Sequence, residues 1–271
     1  MRRLSIPLLR NNRAASYAIS AVIITATTVT LVLVASIYAY QIMDLQKAAA
    51  EFEVAKKSIL AFNDALENIA WKPNAARSTR FTVKYGQLEL MPGTQLPVSL
   101  NVTVNGSTQT ILTNTTGFLR YSLSDKYVTF GDGYTSYILG NSSSLIIGST
   151  ASYGRAVVNQ QSGWVTVTLD YRVRAMRTSV TWVPAIGQYV NYVDIWFIKL
   201  KIDKWFTYIN EFDLKARCLS VTSATYSFNV VGNQDGQIGV RIGSSSSSAS
   251  IALVSGKVVF NVVTALVKVI V

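Results

Sequence analysis

The sequence contains no histidine, a single cysteine (Cys218), no glycine before Gly86, and only 14% charged residues among 271. Without histidine, and with one cysteine, the usual donors of zinc and copper sites are missing. The same absence removes His-dependent acid–base chemistry and the Ser-His-Asp and Cys-His arrangements. One cysteine forms no internal disulfide. Carboxylates are sparse as well: residues 72–271 hold nine acids, none spaced as a catalytic pair. The chain is therefore expected to be no enzyme, with no catalytic residues, no cofactor and no metal. A charged fraction this low, against about 25% in soluble domains, means a Ser/Thr/Asn/Gln-rich surface, lipid contact, or both.

What is present divides at the prolines. Neither glycine nor proline occurs between Pro7 and Pro73, and no charge occurs from Ala14 through Met43, a run of 30 residues. About 20 apolar residues span a bilayer, so this run is long enough. Thr25, Thr27, Thr28 and Thr30 are tolerable in lipid because their hydroxyls can bond back to helix carbonyls. The bland reading, a buried core helix, fits poorly at this length. Beyond it, Ile42, Leu45, Ala49, Phe52, Ala55, Ile59, Phe62, Leu66 and Ile69 recur at steps of three or four. Asp44, Glu51, Glu53, Lys56, Lys57, Asp64 and Glu67 lie mostly off that stripe. One helix from about Ala15 to Trp71, ended by Lys72-Pro73, is predicted. Four arginines (Arg2, Arg3, Arg10, Arg13) precede it, which orients the N-terminus inward and the rest of the chain outward.

After Pro73 the pattern becomes β. Period-2 runs are predicted at 81–85, 88–90, 98–104, 110–113, 118–123, 164–173, 180–183, 193–202, 214–221, 226–231, 238–242, 251–254 and 257–271. Turn signals fall at Tyr85-Gly86, Asn105-Gly106, Asp132-Gly133, Asp235-Gly236 and Ser255-Gly256, and Ser244–Ser248 reads as a flexible loop. The expected fold class is α+β: a long transmembrane-to-amphipathic helix followed by an antiparallel β-sandwich or jelly-roll-like domain. Expected segments are a basic leader (1–14), the helix (15–71, membrane-spanning to about 43) and an extracellular β domain (72–271).

The order of basic leader, apolar helix, amphipathic continuation and β-rich domain resembles archaeal type IV pilin-like proteins. The local match is Arg13-Ala14-Ala15-Ser16-Tyr17-Ala18-Ile19-Ser20-Ala21-Val22-Ile23, and Leu60–Asn68 leading into Trp71 and Arg80–Leu90 looks like the family's passage from helix to first hairpin. Tyr17 stands where many members have Pro, and Ile19 where bacterial-type pilins carry Glu. The resemblance implies cutting by a prepilin-type peptidase at Arg13, Ala14 and Ala15, with Ala15 as the mature N-terminus. It also implies a membrane-inserted precursor, other pilin subunits as partners, and a surface filament as destination. Small positions (Ala18, Ser20, Ala21, Thr25, Ala26, Thr28) would let processed helices approach closely.

Four sequons, at Asn101, Asn105, Asn114 and Asn141, are candidate glycosylation sites of an exported domain, although chance is a real competitor in so Ser/Thr-rich a chain. Arg172 and Arg174, Lys199 and Lys201, and Lys215 and Arg217 share strand faces pairwise. They form a candidate basic contact face for a subunit, a surface ligand or an acidic polysaccharide. Asp170, Asp203 and Asp213 lie in phase with them and offer ion pairs as the simpler account. No nucleic-acid motif accompanies the net charge of +11, so no specific nucleic acid is expected. Ile195-Trp196-Phe197-Ile198 reads as a strand buried on both faces, Asn233–Gly236 as a turn, and Cys218 as a buried small apolar residue. The reading is a structural subunit of a pilus-like filament. Its rival is a permanently anchored extracellular binding module.

Overall fold

The structure is a computed structural model that describes residues 12–140, 143–148 and 151–271, without the side chains of 12–16, 18 and 95. Among the described residues one α-helix, α1 (Asn12–Ile69), precedes fourteen strands, with a 3₁₀ turn at Gly93–Gln95 between the first two. These are β1 (Ala76–Met91), β2 (Pro97–Val104), β3 (Ser107–Thr115), β4 (Phe118–Ser124), β5 (Thr135–Leu139), β6 (Ile146–Ile147) and β7 (Gly154–Gln161). They continue with β8 (Trp164–Tyr171), β9 (Val173–Val183), β10 (Gln188–Lys201), β11 (Phe206–Val230), β12 (Gln234–Ile242), β13 (Ser245–Leu253) and β14 (Gly256–Ile270). The α+β class holds: one long apolar N-terminal helix and a mostly antiparallel β domain.

α1 is uninterrupted because its sequence offers no glycine or proline. It closes by tightening, with Lys72 N–H donating to Ile69 O at 2.9 Å, before Pro73. The chain divides into two compact units between Lys47 and Ala48, so the helix contributes to both. In the first unit the apolar side chains are exposed, among them Val22, Leu31, Val34 and Ile37. In the second, Phe52, Ile59, Phe62 and Leu66 are buried to 1% exposure or less, as the apolar stripe predicts.

The strands form two sheets. A ten-stranded sheet runs β5-β7-β8-β4-β1-β11-β14-β10-β9-β6, and a four-stranded sheet runs β13-β12-β2-β3. Pairing is antiparallel except for β10 with β14 and β6 with β9, which are parallel. α1 covers one half of the large sheet, where Phe62 meets Phe81 edge-on at 6.4 Å and Phe81 stacks on Phe212 at 5.8 Å. Ile198, Leu200, Ala265 and Val267 join that core. Ile195, Phe197, Val258 and Phe260 belong to a second core, shared with Val98, Leu100, Ile238 and Val240 of the small sheet. Alternation along a strand sends odd and even residues to opposite faces. Ile198 and Leu200 of β10 face the helix, whereas Ile195 and Phe197 face the small sheet. This is why Ile195–Ile198 is apolar on both faces.

Several expectations need correction. The two runs at 214–221 and 226–231 are one 25-residue strand, β11, because nothing between them breaks a strand. Tyr85-Gly86 is a bulge inside β1 and not a turn between strands; the register slips between Val83 and Leu88. Asp235-Gly236 lies within β12, where a Cβ on Gly236 would come to 2.7 Å from Leu253 Cδ1. The serine run from Ser245 is strand β13, held by its backbone ladder to β12 at the sheet edge. Asn105-Gly106 is a hairpin turn as read, with φ of 52° and 72°, the double positive-φ pair of a type I′ turn.

Candidate functional site

The inner part of α1 is long and apolar enough to cross a bilayer, and its most apolar 18-residue window is unburied. Thr25, Thr28 and Thr30 hydroxyls donate to the carbonyls of Ala21, Ile24 and Ala26 at 2.7–2.9 Å, and Thr27 to Ile23 at 2.9 Å. Each hydroxyl is thus satisfied within its own helix and adds no unmet donor to an apolar surface. Arg13, Ala14 and Ala15 lie in the helical backbone, but their side chains fall outside the described residues. So does all of 1–11, with Arg2, Arg3 and Arg10.

The outer part is fastened by two carboxylates that the sequence placed off the apolar stripe. Glu51 accepts from the backbone N–H groups of Lys84 (2.7 Å), Tyr85 (3.0 Å) and Gly86 (3.0 Å), and from the Tyr121 hydroxyl (2.9 Å). Three successive N–H groups converge because β1 bulges here, and such a nest suits an anion. A Cβ on Gly86 would lie 2.4 Å from Tyr121 Oη, so the close approach requires glycine. Burial first, and then the Glu51 charge and hydrogen bond, push the Tyr121 hydroxyl well above its ordinary pKa, keeping it a donor. Glu67 makes the second clasp, accepting from Gly154 N–H at 3.0 Å, Asn63 Nδ2 at 3.2 Å and the Ser152 hydroxyl. Hydrogen bonds to charged groups contribute about 1.5–3 kcal/mol. With Glu51 partly accessible to water, Glu51→Ala should destabilise the domain by about 2 kcal/mol, read as a lowered denaturant midpoint at unchanged slope. Gly86→Ala should do so too, by displacing Tyr121.

The six basic residues are not brought to one face. Arg172 precedes β9 rather than sharing a strand face with Arg174. It is 2% exposed, with Nη2 donating to Ser152 O at 2.8 Å. Burial, and then Arg155, lower its pKa. Arg174 lies over the Tyr153 ring at 3.9 Å and donates to Ala151 O. Both hold the loop around 151–154, on which the Glu67 clasp also closes. Lys199 is half-buried and donates to Asn114 Oδ1. Only Lys201, Lys215 and Arg217 are exposed. In register, Arg217 lies beside Lys268 and Lys268 beside Lys201. Asp203 answers this row, at 2.8 Å from Lys268 and 3.9 Å from Lys201. The Lys268 hydrogen bond holds the Asp203 carboxyl below its ordinary value, so this contact is fully present above the usual carboxylate range and lost only as pH falls below that range, through the lowered value. Asp170 pairs with Arg155, not Arg172.

Among the sequons, Asn105 is committed to its own turn: Nδ2 donates to Asn229 O at 2.8 Å and Oδ1 accepts from Val231 N–H at 3.1 Å. Asn101 and Asn114 use Oδ1 as acceptor for Thr110 and Lys199, and no hydrogen bond engages their Nδ2 among the described residues. Asn141 lies outside the described residues. Cys218 is fully buried, its thiol 3.1 Å from Ala70 O and pushed up in pKa mainly by burial, hence unreactive.

Comparison with protein-family models, with curated proteins and with solved structures gives no match, so residues and geometry alone carry the functional argument.

Proposed function

We propose that this chain is a structural subunit of a type IV pilus-like surface filament of the archaeal kind. In this reading it is inserted as a single-pass precursor with the β domain outside, and cut by a prepilin-type peptidase between Ala14 and Ala15. It then assembles through its helix with other pilin subunits or with copies of itself. The supporting observation is the division of labour along α1. Its outer residues are consumed by the β domain, through a buried stripe and two carboxylate clasps, while its inner apolar side chains, among the described residues, are exposed. An anchor needs only lipid around such a helix; the adjoining Arg13-Ala14-Ala15 favours release and assembly. Asn101 and Asn114 are the sequons we assign as glycan acceptors, since their amide nitrogens are free to be modified.

Mass spectrometry of protein recovered from sheared surface filaments tests both statements. The expected N-terminus is Ala15, with glycan mass on peptides containing Asn101 or Asn114 and none on Asn105. Arg13→Glu should leave only uncut precursor. Chains that begin at Met1 in filaments overturn the processing step. An N-terminus near Ile37–Tyr40 indicates an ordinary secretory signal instead.

A further inference from the structure

The large sheet has one face that neither the helix nor the small sheet covers. On the half formed by β1, β4, β8, β7 and β5, the face opposite α1 is an open groove of about 770 Å³, within the roughly 300–1,000 Å³ of small-ligand sites. Its floor is a polar rung. Gln87 lies beside Ser122, Ser122 beside Thr166, Thr166 beside Asn159 and Asn159 beside Thr135. The next rung is Glu89, Arg120 and Thr168. Trp164, 46% exposed, lies on the same face, and residues 132–134 complete the lining at the β5 end.

We propose that this groove binds a neutral oligosaccharide. Its walls are preset, which lowers the ordering cost of binding. The 132–134 segment is pinned from the α1 side of the sheet, where the Tyr134 ring stacks on Phe130 at 4.7 Å and Phe130 packs on Phe52 at 5.9 Å. Gln160 fixes that loop, its Oε1 accepting from Phe130 and Gly131 N–H and its backbone bonding Gly133 and Tyr134. On the floor, Glu89 is only 7% exposed, and its Oε2 takes Arg120 Nε at 2.8 Å and the Ser122 hydroxyl at 3.4 Å. No hydrogen bond engages Glu89 Oε1 or the Arg120 Nη atoms among the described residues. A carboxylate oxygen and a guanidinium edge therefore stand ready for neighbouring hydroxyls, through charge-assisted hydrogen bonds stronger than neutral ones.

A pyranose ring has an apolar C–H face and a rim of hydroxyls. That matches the exposed Trp164 ring beside a floor of amides and hydroxyls, which both donate and accept. The charges narrow the class: Arg120 stands against Glu89 and Asp132 in the lining, so phosphate and sulfate esters meet no net positive field. The site does not depend on filament assembly, only on the β domain facing outward.

The test titrates the full chain in detergent with tri- to pentasaccharides of glucose, mannose, galactose and N-acetylglucosamine, with a sulfated polysaccharide as acidic probe, by calorimetry. Saturable binding of at least one neutral probe is expected. Trp164→Ala and Glu89→Gln should each weaken it at least tenfold, and Thr168→Arg, which fills the floor, should abolish it. Trp164 and Thr168 lie outside the core, so these variants decide the matter even if Glu89→Gln melts early. Absence of binding to every neutral probe overturns the proposal. So does binding that survives both Trp164→Ala and Thr168→Arg, or binding of the sulfated probe alone. Each of these results leaves processing at Ala15 untouched and therefore separable.

Discussion

Phe62→Ala should lower the stability of the β domain by about 3–5 kcal/mol, the range for truncating a fully buried aromatic. Phe62 has no exposed surface, and it sits where α1 crosses β1, edge-on to Phe81, which in turn stacks on Phe212 of β11. Removing the ring leaves a cavity that the strands cannot close, because β1 and β11 are pinned by a continuous ladder from Ala76 to Val83. The measurement is urea denaturation of a soluble fragment beginning at Asp44, compared with and without the substitution. The helix remains intrinsically favourable, since alanine is the best helix former, so the loss reads out packing rather than propensity. An unchanged midpoint would show that the stripe belongs against another subunit. Glu51 lies 11 residues before Phe62 on α1, about three turns away, so its clasp should respond separately. Combining Phe62→Ala with Glu51→Ala tests whether helix and bulge act as one unit, because distant sites add and coupled ones do not.

Much of this architecture is legible in the residues. The absence of glycine and proline between Pro7 and Pro73 marks the helix, the three-four spacing marks its buried face, and Asn105-Gly106 marks a hairpin. The signals that fail do so for physical reasons. Glu51 and Glu67 are carboxylates at the rim of an apolar stripe, which on composition alone belong in water. Their partners are mostly backbone N–H groups of a bulge and a loop, and backbone donors leave no side-chain pattern to read. Gly86, the first glycine of the chain, was the available hint, because the Tyr121 hydroxyl needs the space a Cβ would take. The serine run of β13 misleads because an edge strand is held by main-chain pairing, and serine there keeps the edge from attracting another chain. The parallel pairing of β10 with β14 joins residues 67 positions apart, beyond the reach of local periodicity. Arg172 misleads in the opposite sense. Alternation put it on a basic face, but the chain breaks between β8 and β9 at that residue, and the side chain turns inward to carbonyls of the 152–154 loop. The groove floor hides in the same way, its rungs drawn from five separate strands, each individually an ordinary polar alternation.

The helix also separates the two readings of the molecule, and the expected result is all-or-none. Ala18, Ala21, Thr25 and Thr28 follow at steps of three and four, which places them along one side of the helix. The threonine hydroxyls on that side are already bonded to Ala21 and Ile24 carbonyls, so the stripe presents small, satisfied surface over which a second helix can pack closely. Lipid has no such requirement: acyl chains accommodate any apolar outline, whereas helix pairs gain from dense contact between small residues. Ala21→Leu should accordingly leave export and membrane insertion intact, since leucine is at least as favourable in a bilayer, while removing the protein from filaments. Ala26→Leu should do the same wherever packing surrounds the helix on all sides, as a filament core demands. Ala21→Ser, which keeps the residue small, should restore assembly. The readout is fractionation into membrane and sheared-filament pools followed by electron microscopy of the latter. A wild-type chain that stays in the membrane pool where filaments are abundant makes the helix an anchor, and the outward-facing groove then belongs to a tethered binding module.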